Sequence, residues 1–159
     1  MSNVRIAYDS FAKTAPAAQA ALIAMGTTAD ESGLDKEIVE LAKLRVSQIN
    51  NCAFCLQIHL NVSRKLDIAQ EKLDLVATWH EAGIFSEREC AALAWAEALT
   101  HLAGRSVSDA AYDAVRRHFG ESELVFLSTA IATINAWNRL GAAFRFAPPI
   151  PRKVVAAAS

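Results

Sequence analysis

Apolar residues at helical spacing run along almost the whole 159-residue chain and constrain its fold more than any other feature. They recur at intervals of three and four residues, which is the period of an amphipathic α-helix. Alanine makes up about a fifth of the sequence, runs of β-branched residues are scarce, and no Asn-Gly or Asp-Gly pair marks a β-hairpin. We therefore expect an all-α fold, a bundle of six or seven helices that forms one domain over residues 1–159.

Capping residues and helix stops divide the chain into predicted segments. Gly26 and Gly141 each suit a C-terminal helix stop, and Ser86 with Glu89 has the pattern of a capping box. Asn51 is the predicted N-cap of a helix that begins at Cys52. The predicted helices cover residues 16–25, 35–49 with Asp35 as the cap, 52–65, 67–82, 86–102, a segment from Ser106 or Ser108 to Gly120, and residues 121–140. Residues 34–146 form the expected core, and residues 147–159 form an extended tail with a mobile end from residue 154.

Charge and composition exclude several classes of protein. Sixteen Lys and Arg residues against seventeen Asp and Glu residues give a net charge of −1, so no basic excess is present to bind nucleic acid. The 53% hydrophobic content excludes a disordered chain. The N-terminus lacks an apolar signal core, and the longest apolar stretch, residues 124–137, is too short to span a bilayer. We expect a cytoplasmic chain that binds neither nucleic acid nor membranes.

Cys52, Cys55 and His59 carry most of the chemical information in the sequence. Three cysteines cannot form a secreted disulfide framework, and a closely spaced pair in a reducing compartment is more often redox-active or metal-binding. On a helix the three residues share one face, with the sulfurs close enough for a disulfide and the imidazole one turn beyond Cys55. The N-terminus of a helix also lowers thiol pKa values, because its free N–H groups and dipole stabilise a thiolate.

Glu40 is expected to face His59 across a helical hairpin. If the chain turns between Asn50 and Asn51, the two residues lie about 10.5 and 8.5 residues from the pivot, and their axial levels differ by about 3 Å. A carboxylate at that level accepts a hydrogen bond from one imidazole nitrogen and raises the basicity of the other. Reduction of a peroxide through a sulfenic acid and a disulfide requires a thiolate, a second thiol and a proton relay. The two cysteines and the Glu40–His59 pair meet these requirements.

The order Glu, eleven residues, Cys-x-x-Cys, three residues, His resembles the signature of the alkylhydroperoxidase D-like (AhpD-like) family, part of the carboxymuconolactone decarboxylase superfamily. Glu40, Cys52, Cys55 and His59 match the four positions. The segment Thr-Ile-Asn-Ala-Trp-Asn-Arg-Leu at residues 133–140 also resembles the last core helix of the family. The resemblance covers roughly residues 34–146 and implies an all-helical homo-oligomer, often a trimer or hexamer.

The resemblance implies a thiol-dependent peroxidase that reduces hydrogen peroxide or organic hydroperoxides without a prosthetic group. In the family pattern Cys55 is the peroxidatic cysteine and Cys52 the more exposed resolving cysteine. Glu40 and His59 form the proton relay, and an external dithiol or thiol protein reopens the disulfide. Well-known peroxidases of the family carry a histidine between the cysteines, where this chain has Phe54. The decarboxylase branch of the superfamily generally lacks the cysteine pair, which argues against lactone decarboxylation.

Other interpretations of the cysteine pair stay open. The pair is compatible with two small buried hydrophobic residues at the start of a helix. Together with His59 it also offers three acceptable zinc ligands, as in a non-enzymatic interaction module. Phe54 in place of a polar residue favours a thiol–disulfide oxidoreductase that serves a protein or a small dithiol.

Three residues outside this group carry weaker expectations. Cys90 has no cysteine nearby in sequence and is expected to pack in alanine-rich surroundings. Asn135 and Asn138 lie on an otherwise apolar helix, and buried amides need hydrogen-bond partners. We expect the two amides to have a structural role or to lie beside the site.

Overall fold

Helices form the regular structure of the chain. The computed structural model describes residues 3–151, and within that range it contains nine α-helices, one short 3-10 helix and no strand. The elements are α1 (Tyr8–Thr14), α2 (Pro16–Asp30), α3 (Lys36–Ile49), α4 (Ala53–Lys65), α5 (Gln70–Leu75), a 3-10 helix (Val76–Thr78), α6 (Trp79–Ala82), α7 (Glu87–Thr100), α8 (Asp109–Arg116) and α9 (Glu121–Phe144). The all-α expectation is confirmed. The helices outnumber the predicted six or seven because α1 is additional and residues 70–82 are divided.

Helix α3 lies at the centre of the bundle and packs against α4, α7 and α9. It begins as predicted, since the side chain of Asp35 accepts a hydrogen bond from the backbone N–H of Glu37 at 2.8 Å. Residues 38–47 are all buried except Arg45. A helix that is buried on most sides needs partners on most sides, and this explains why three helices surround α3.

A three-residue connection, residues 50–52, turns the chain from α3 into α4. Asn51 adopts a left-handed conformation with φ 52°, which asparagine tolerates better than most residues. Cys52 is the N-cap of α4, and its backbone N–H donates to the carbonyl of Ser47 at 3.0 Å. The prediction that Asn51 caps α4 is wrong, because Asn51 is needed for the turn itself. The predicted position of the cysteine pair at the start of this helix is confirmed.

Two glycines that predict helix ends lie inside helices instead. Helix α2 continues through Gly26 to Asp30, and α9 continues through Gly141 to Phe144. A glycine within a helix costs only about 1 kcal/mol relative to alanine, and the packing of α2 against α9 outweighs that cost. The residue that ends α9 in a left-handed conformation is Arg145, with φ 54°.

The predicted caps of α7 and α8 are confirmed, whereas the single helix expected over residues 67–82 is not. Ser86 and Glu89 form a reciprocal capping box, and the side chain of Ser108 accepts the N–H of Ala111 at the start of α8. Residues 70–82 form α5, the 3-10 helix and α6. The last of these ends at Gly83, whose φ of 66° is a conformation that glycine adopts without strain.

Both ends of the described chain pack against the body of the bundle. The backbone N–H groups of Arg5 and Ile6 donate to the carbonyl of Phe144, at 2.9 and 3.2 Å. Residues 145–151, which follow α9, form no helix or strand, and the side chain of Asn61 donates to the carbonyl of Pro149 at 3.0 Å. Within residues 3–151 no helix is long and apolar enough to cross a membrane. The mobile end expected from residue 154 lies outside the described residues.

Candidate active site

Cys52 and Cys55 form a disulfide at the start of α4, with their Cα atoms 5.4 Å apart. The backbone N–H of Cys55, in the first turn, donates to Sγ of Cys52 at 3.3 Å. Cys52 therefore caps the helix with its sulfur, in the position where free N–H groups and the helix dipole favour a thiolate. The two residues are 3% and 2% exposed. Cys52 is thus the more exposed of the two by only a small margin, and both cysteines are almost fully buried.

Gly141 of α9 closes one side of the disulfide. A Cβ atom at this position would lie 2.6 Å from Sγ of Cys52 and 3.4 Å from Sγ of Cys55. The close approach requires a residue without a side chain, since real Cβ atoms do not pack at the shorter distance. The close packing of α9 against α4 beside the disulfide therefore depends on a glycine at this position.

Glu40 of α3 and His59 of α4 are joined by a hydrogen bond. Nδ1 of His59 donates to Oε2 of Glu40 at 2.8 Å, since an ionised carboxylate can only accept. Glu40 is only 4% exposed. The predicted contact across the helical hairpin is present. The bond fixes the imidazole tautomer and leaves Nε2 of His59 available as a proton acceptor.

Lys43 supplies the charge that balances Glu40. Its Nζ lies 3.0 Å from Oε1 of Glu40 and 3.3 Å from Oδ1 of Asp30, and its side chain is 10% exposed. Burial raises the pKa of Glu40, but the hydrogen bond and charge of His59, followed by those of Lys43, lower this pKa by more. The pKa of Glu40 therefore lies below its ordinary value, and the carboxylate stays ionised beside the imidazole. Lys43 is a functional residue that the sequence analysis misses, although its position three residues after Glu40 on the same helix is a usable signal.

A cavity of about 290 Å³ brings Cys55 and His59 together. Lys43 and Asp30 lie in its wall as well, so the charged side chains that are linked to Glu40 reach this space. Helices α1, α2, α4 and α9 supply the rest of the wall, which is mostly apolar. The apolar lining residues are Tyr8, Leu22, Ile23, Phe54, Ile58, Ala130, Ile134 and Trp137. A small, partly apolar molecule in this cavity would meet a sulfur and an imidazole at the same time.

An aromatic group covers the cysteine pair. Phe54 lies between the two cysteines, and its ring centroid is 5.2 Å from that of Tyr8 and 5.2 Å from that of Phe146. Tyr8 and Phe146 are in turn 5.4 Å apart, edge to face. The position that carries a histidine in the family's well-known peroxidases is thus part of an apolar cover in this chain. Tyr8 gives no signal in the sequence, because its partners are distant along the chain.

Buried amides fix the turn that precedes the disulfide. The side chain of Asn50 donates to Oδ1 of Asn135 at 2.9 Å and to Oδ1 of Asn138 at 3.0 Å. Asn138 donates to the hydroxyl of Ser47 at 3.2 Å. These bonds link the end of α3 to α9, which satisfies the expected need of both amides for partners. The network positions the turn, and none of its bonds reaches a cysteine side chain.

The remaining candidates do not join the site. Cys90 is a half-buried free cysteine on α7, and burial, together with the negative charge of Glu89, raises the pKa of its thiol. The expectation that it packs among apolar residues agrees with its packing against a cluster of buried apolar side chains that includes Leu41, Leu73 and Leu93. Among residues 3–151 no group of three or more His, Cys, Asp or Glu side chains is arranged to hold a metal ion.

Comparison with known proteins identifies relatives over most of the chain. The profile of the Carboxymuconolactone decarboxylase family matches residues 16–98. YdfG, an uncharacterised protein of Bacillus subtilis (strain 168), is 34% identical over 134 residues, which are 84% of this chain and 91% of YdfG. The match extends far beyond the segment from Glu40 to His59.

Solved structures share the fold. A protein of unknown function from Agrobacterium tumefaciens, for which a role as the antioxidant defence protein AhpD has been suggested, is 36% identical, with a TM-score of 0.87. The match covers 94% of this chain and all of that one. An uncharacterised peroxidase-related protein with an alkylhydroperoxidase AhpD core, from Ralstonia eutropha JMP134, is 22% identical with a TM-score of 0.76, over 87% of this chain and 74% of that one, which shows the fold alone. The chain belongs to the carboxymuconolactone decarboxylase family and is an AhpD-like member of it.

Proposed function

We propose that the chain is a thiol-dependent peroxidase that reduces hydrogen peroxide or organic hydroperoxides through a Cys52–Cys55 disulfide cycle. One observation carries the proposal: Cys55 and His59 line the same cavity, and His59 is hydrogen-bonded to a buried, ionised Glu40. Cys55 is the proposed nucleophile and Cys52 the resolving thiol. His59 with Glu40 is the proposed proton relay.

The proposed cycle has three steps that balance in atoms and electrons. The thiolate of Cys55 attacks the outer oxygen of a hydroperoxide, the O–O bond breaks, and the alcohol leaves with a proton delivered through His59, which gives a sulfenic acid on Cys55. The thiol of Cys52 then attacks that sulfur, and water leaves as the disulfide forms. An external dithiol finally reduces the disulfide and becomes a disulfide itself. No prosthetic group takes part.

Peroxide consumption with dithiothreitol as the reductant tests the assignment of the nucleophile. We expect Cys55→Ser to lose turnover of both hydrogen peroxide and cumene hydroperoxide. Cys90→Ser is a matched control, because Cys90 is a free cysteine outside both the disulfide and the cavity, and it should turn over like the wild type. Equal turnover by Cys55→Ser and the wild type would reject Cys55 as the nucleophile.

The resolving role of Cys52 has a separate test. In Cys52→Ser the sulfenic acid on Cys55 should still form once, so a dimedone adduct should appear after one equivalent of peroxide. Without a second thiol the cycle should then stall, or Cys55 should oxidise further to a sulfinic acid. Mass spectrometry that found an unchanged catalytic cycle in this variant would disprove the resolving role.

A second candidate function is thiol–disulfide exchange with peroxide reduction incidental. The position of Cys52 favours it, because a helix N-cap sulfur that accepts an N–H group is stabilised as a thiolate. Rates on a small disulfide and on a peroxide, measured with the same protein, discriminate between the two functions. A disulfide rate far above both peroxide rates would favour the exchange activity.

We further propose a cytoplasmic location and a homo-oligomeric assembly, a trimer or hexamer, both of which rest on the AhpD-like family. Large apolar side chains that remain exposed on the single chain support an assembly. Examples are Ile23 at 51%, Val125 at 56% and Ile150 at 68% exposure. Light scattering that gave the mass of a single chain would reject the assembly.

A further inference from the structure

The two cysteines of the disulfide line two different cavities. Cys55 lines the cavity that holds His59, whereas Cys52 lines a second cavity of about 560 Å³, and Cys55 is not among the described residues of that second wall. Among the described lining residues, Phe54 is the only one that belongs to both walls. Cys52 therefore borders a space that is separate from the proposed peroxide cavity. We call this space the Cys52 groove.

The Cys52 groove is walled by the two ends of the described chain. Asn3 and Val4 form one side, and Arg145 and Pro148 lie on the other. Hydrogen bonds hold these segments together, since Nη1 of Arg145 donates to Oδ1 of Asn3 at 2.5 Å and the neighbouring backbone N–H groups donate to the end of α9. The groove is thus a built feature, with Cys52 in its wall.

The groove favours an anion. Among the described residues that line it, Arg145 is the only one with a charge. No carboxylate within residues 3–151 forms an ion pair with Arg145. Ala53 and Phe54, at the first turn of the 13-residue α4, lie in the same wall, so the positive end of the helix dipole faces the groove as well. An attacking thiolate is itself an anion, and a donor with a second negative charge complements Arg145.

We propose that the Cys52 groove is the entry site of the electron donor, and that the donor is a small thiol that carries an anionic group within a few atoms of its sulfur. The proposal rests on the disulfide cycle given above, with two molecules of a monothiol in place of the external dithiol. It adds the sulfur that is attacked, the route and the charge of the donor. Peroxide and donor then reach opposite ends of one disulfide bond. Neither molecule has to leave before the other binds.

The chemistry of the proposed step balances with two thiols. The donor thiolate attacks Sγ of Cys52, the Cys52–Cys55 bond breaks, and its electron pair leaves on Cys55. Cys55 shares a cavity with His59, and this imidazole can take up a proton from a donor thiol and pass it to the leaving sulfur. A second donor thiolate attacks the donor sulfur of the mixed disulfide and releases Cys52. The net result is two cysteine thiols and one donor disulfide, and the two protons come from the donor thiols.

Mapping the mixed disulfide tests which sulfur is attacked. Oxidised wild-type protein is mixed with mercaptoethanesulfonate, free thiols are blocked with iodoacetamide within milliseconds to seconds, and the tryptic peptide of residues 46–64 is sequenced by mass spectrometry. We expect the donor on Cys52 and the alkyl group on Cys55. A donor adduct on Cys55 with alkylated Cys52 overturns the proposal. This readout needs no peroxide, so it can fail while the peroxidase assay succeeds, or succeed while that assay fails.

A matched pair of thiols tests the charge. Mercaptoethanol and mercaptoethanesulfonate differ in one group, and the ratio of their rates of disulfide opening is compared among wild type, Arg145→Gln and Arg145→Lys. The ratio is the rate with mercaptoethanesulfonate divided by the rate with mercaptoethanol. If Arg145 forms an exposed ion pair with the sulfonate, this ratio should fall about two- to fivefold in Arg145→Gln. It should keep the wild-type value in Arg145→Lys, which retains the positive charge. The wild-type ratio should also fall as salt is added. An unchanged ratio in Arg145→Gln overturns the anionic donor.

Discussion

Gly141 lies against both sulfurs of the disulfide, and Gly141→Ala tests that contact directly. The added Cβ atom would lie 2.6 Å from Sγ of Cys52, whereas heavy atoms in van der Waals contact are about 3.5–4.0 Å apart. The new methyl group therefore overlaps the sulfur by about 1 Å. In the reduced protein the Cys52 side chain can rotate away, but in the disulfide it cannot. We expect the substitution to weaken the oxidised form selectively.

Two opposing effects set the size of the change. Overpacking in a buried site costs about 1–3 kcal/mol. Replacing glycine by alanine within a helix gains up to about 1 kcal/mol. The oxidised protein should thus lose about 1–2 kcal/mol of unfolding free energy, while the reduced protein should change by about zero or gain slightly. A difference of about 1–3 kcal/mol between the two states corresponds to a reduction potential higher by about 20–60 mV.

Denaturant unfolding of the oxidised and the reduced protein, combined with titration in a glutathione redox buffer, measures both quantities. Gly26→Ala is the matched control, because Gly26 also lies inside a helix and its Cβ atom would meet only Cγ2 of Thr133, at 3.8 Å. We expect this control to gain up to about 1 kcal/mol in both redox states and to keep the wild-type potential.

The two measurements on Gly141→Ala must agree with each other. The difference between the changes in unfolding free energy of the two states has to equal the free energy of the shift in potential. If the oxidised protein gains stability, or if both states lose the same amount, then Gly141 is not in direct contact with the disulfide and the reasoning fails.

Three further substitutions test the supports of the site. Asn138→Ala removes a fully buried amide bonded to Asn50 and Ser47 and should lower the free energy of unfolding in urea by about 1–3 kcal/mol. Asp35→Ala removes the cap of α3 and should cost about 1 kcal/mol in the same assay. Because the folded-state pKa of Glu40 is below its ordinary value of 4.5, its ionisation stabilises the fold above about pH 4.5, and this contribution is lost as the pH falls through the folded-state pKa. The stability difference between wild type and Glu40→Gln should therefore be largest near pH 7 and shrink in acid, and a difference independent of pH would contradict the assigned pKa shift.

The fold was predictable where local signals decide it. Asp35, Ser86 and Ser108 cap helices as the sequence indicates, because an N-cap depends only on a side chain and the N–H groups two or three residues later. The contact between Glu40 and His59 was also within reach. It follows from the rise per residue of two helices joined by a short turn.

Features that depend on distant parts of the chain were not predictable. The sequence indicates Gly141 as a helix stop, and only the approach of α9 to the disulfide reveals that its missing side chain serves packing. Tyr8 is an ordinary residue of a short helix until it meets Phe54 and Phe146. Local patterns specify backbone conformation and apolar faces, but they do not specify which distant face covers which. For the same reason the Cys52 groove was not predictable, because its walls come from opposite ends of the described chain.

A gain in folding stability does not readily explain the linked series of charged side chains that runs from Asp30 through Lys43 and Glu40 to His59. Burying ion pairs removes charges from water, and apolar residues of similar volume often serve a fold equally well or better. Elsewhere in the chain the Arg45–Glu97 pair bridges α3 to α7, and its side chains are about 20% exposed, so less free energy is spent on removing its charges from water. The side chains of Lys43 and Glu40 are only 10% and 6% exposed. The more buried pair is also the one that reaches the wall of the cavity with Cys55. A buried carboxylate whose pKa is lowered by specific partners beside a cavity is typical of a site selected for chemistry, and its effect here is a hydrogen bond that fixes the tautomer of His59 at the cavity that Cys55 lines.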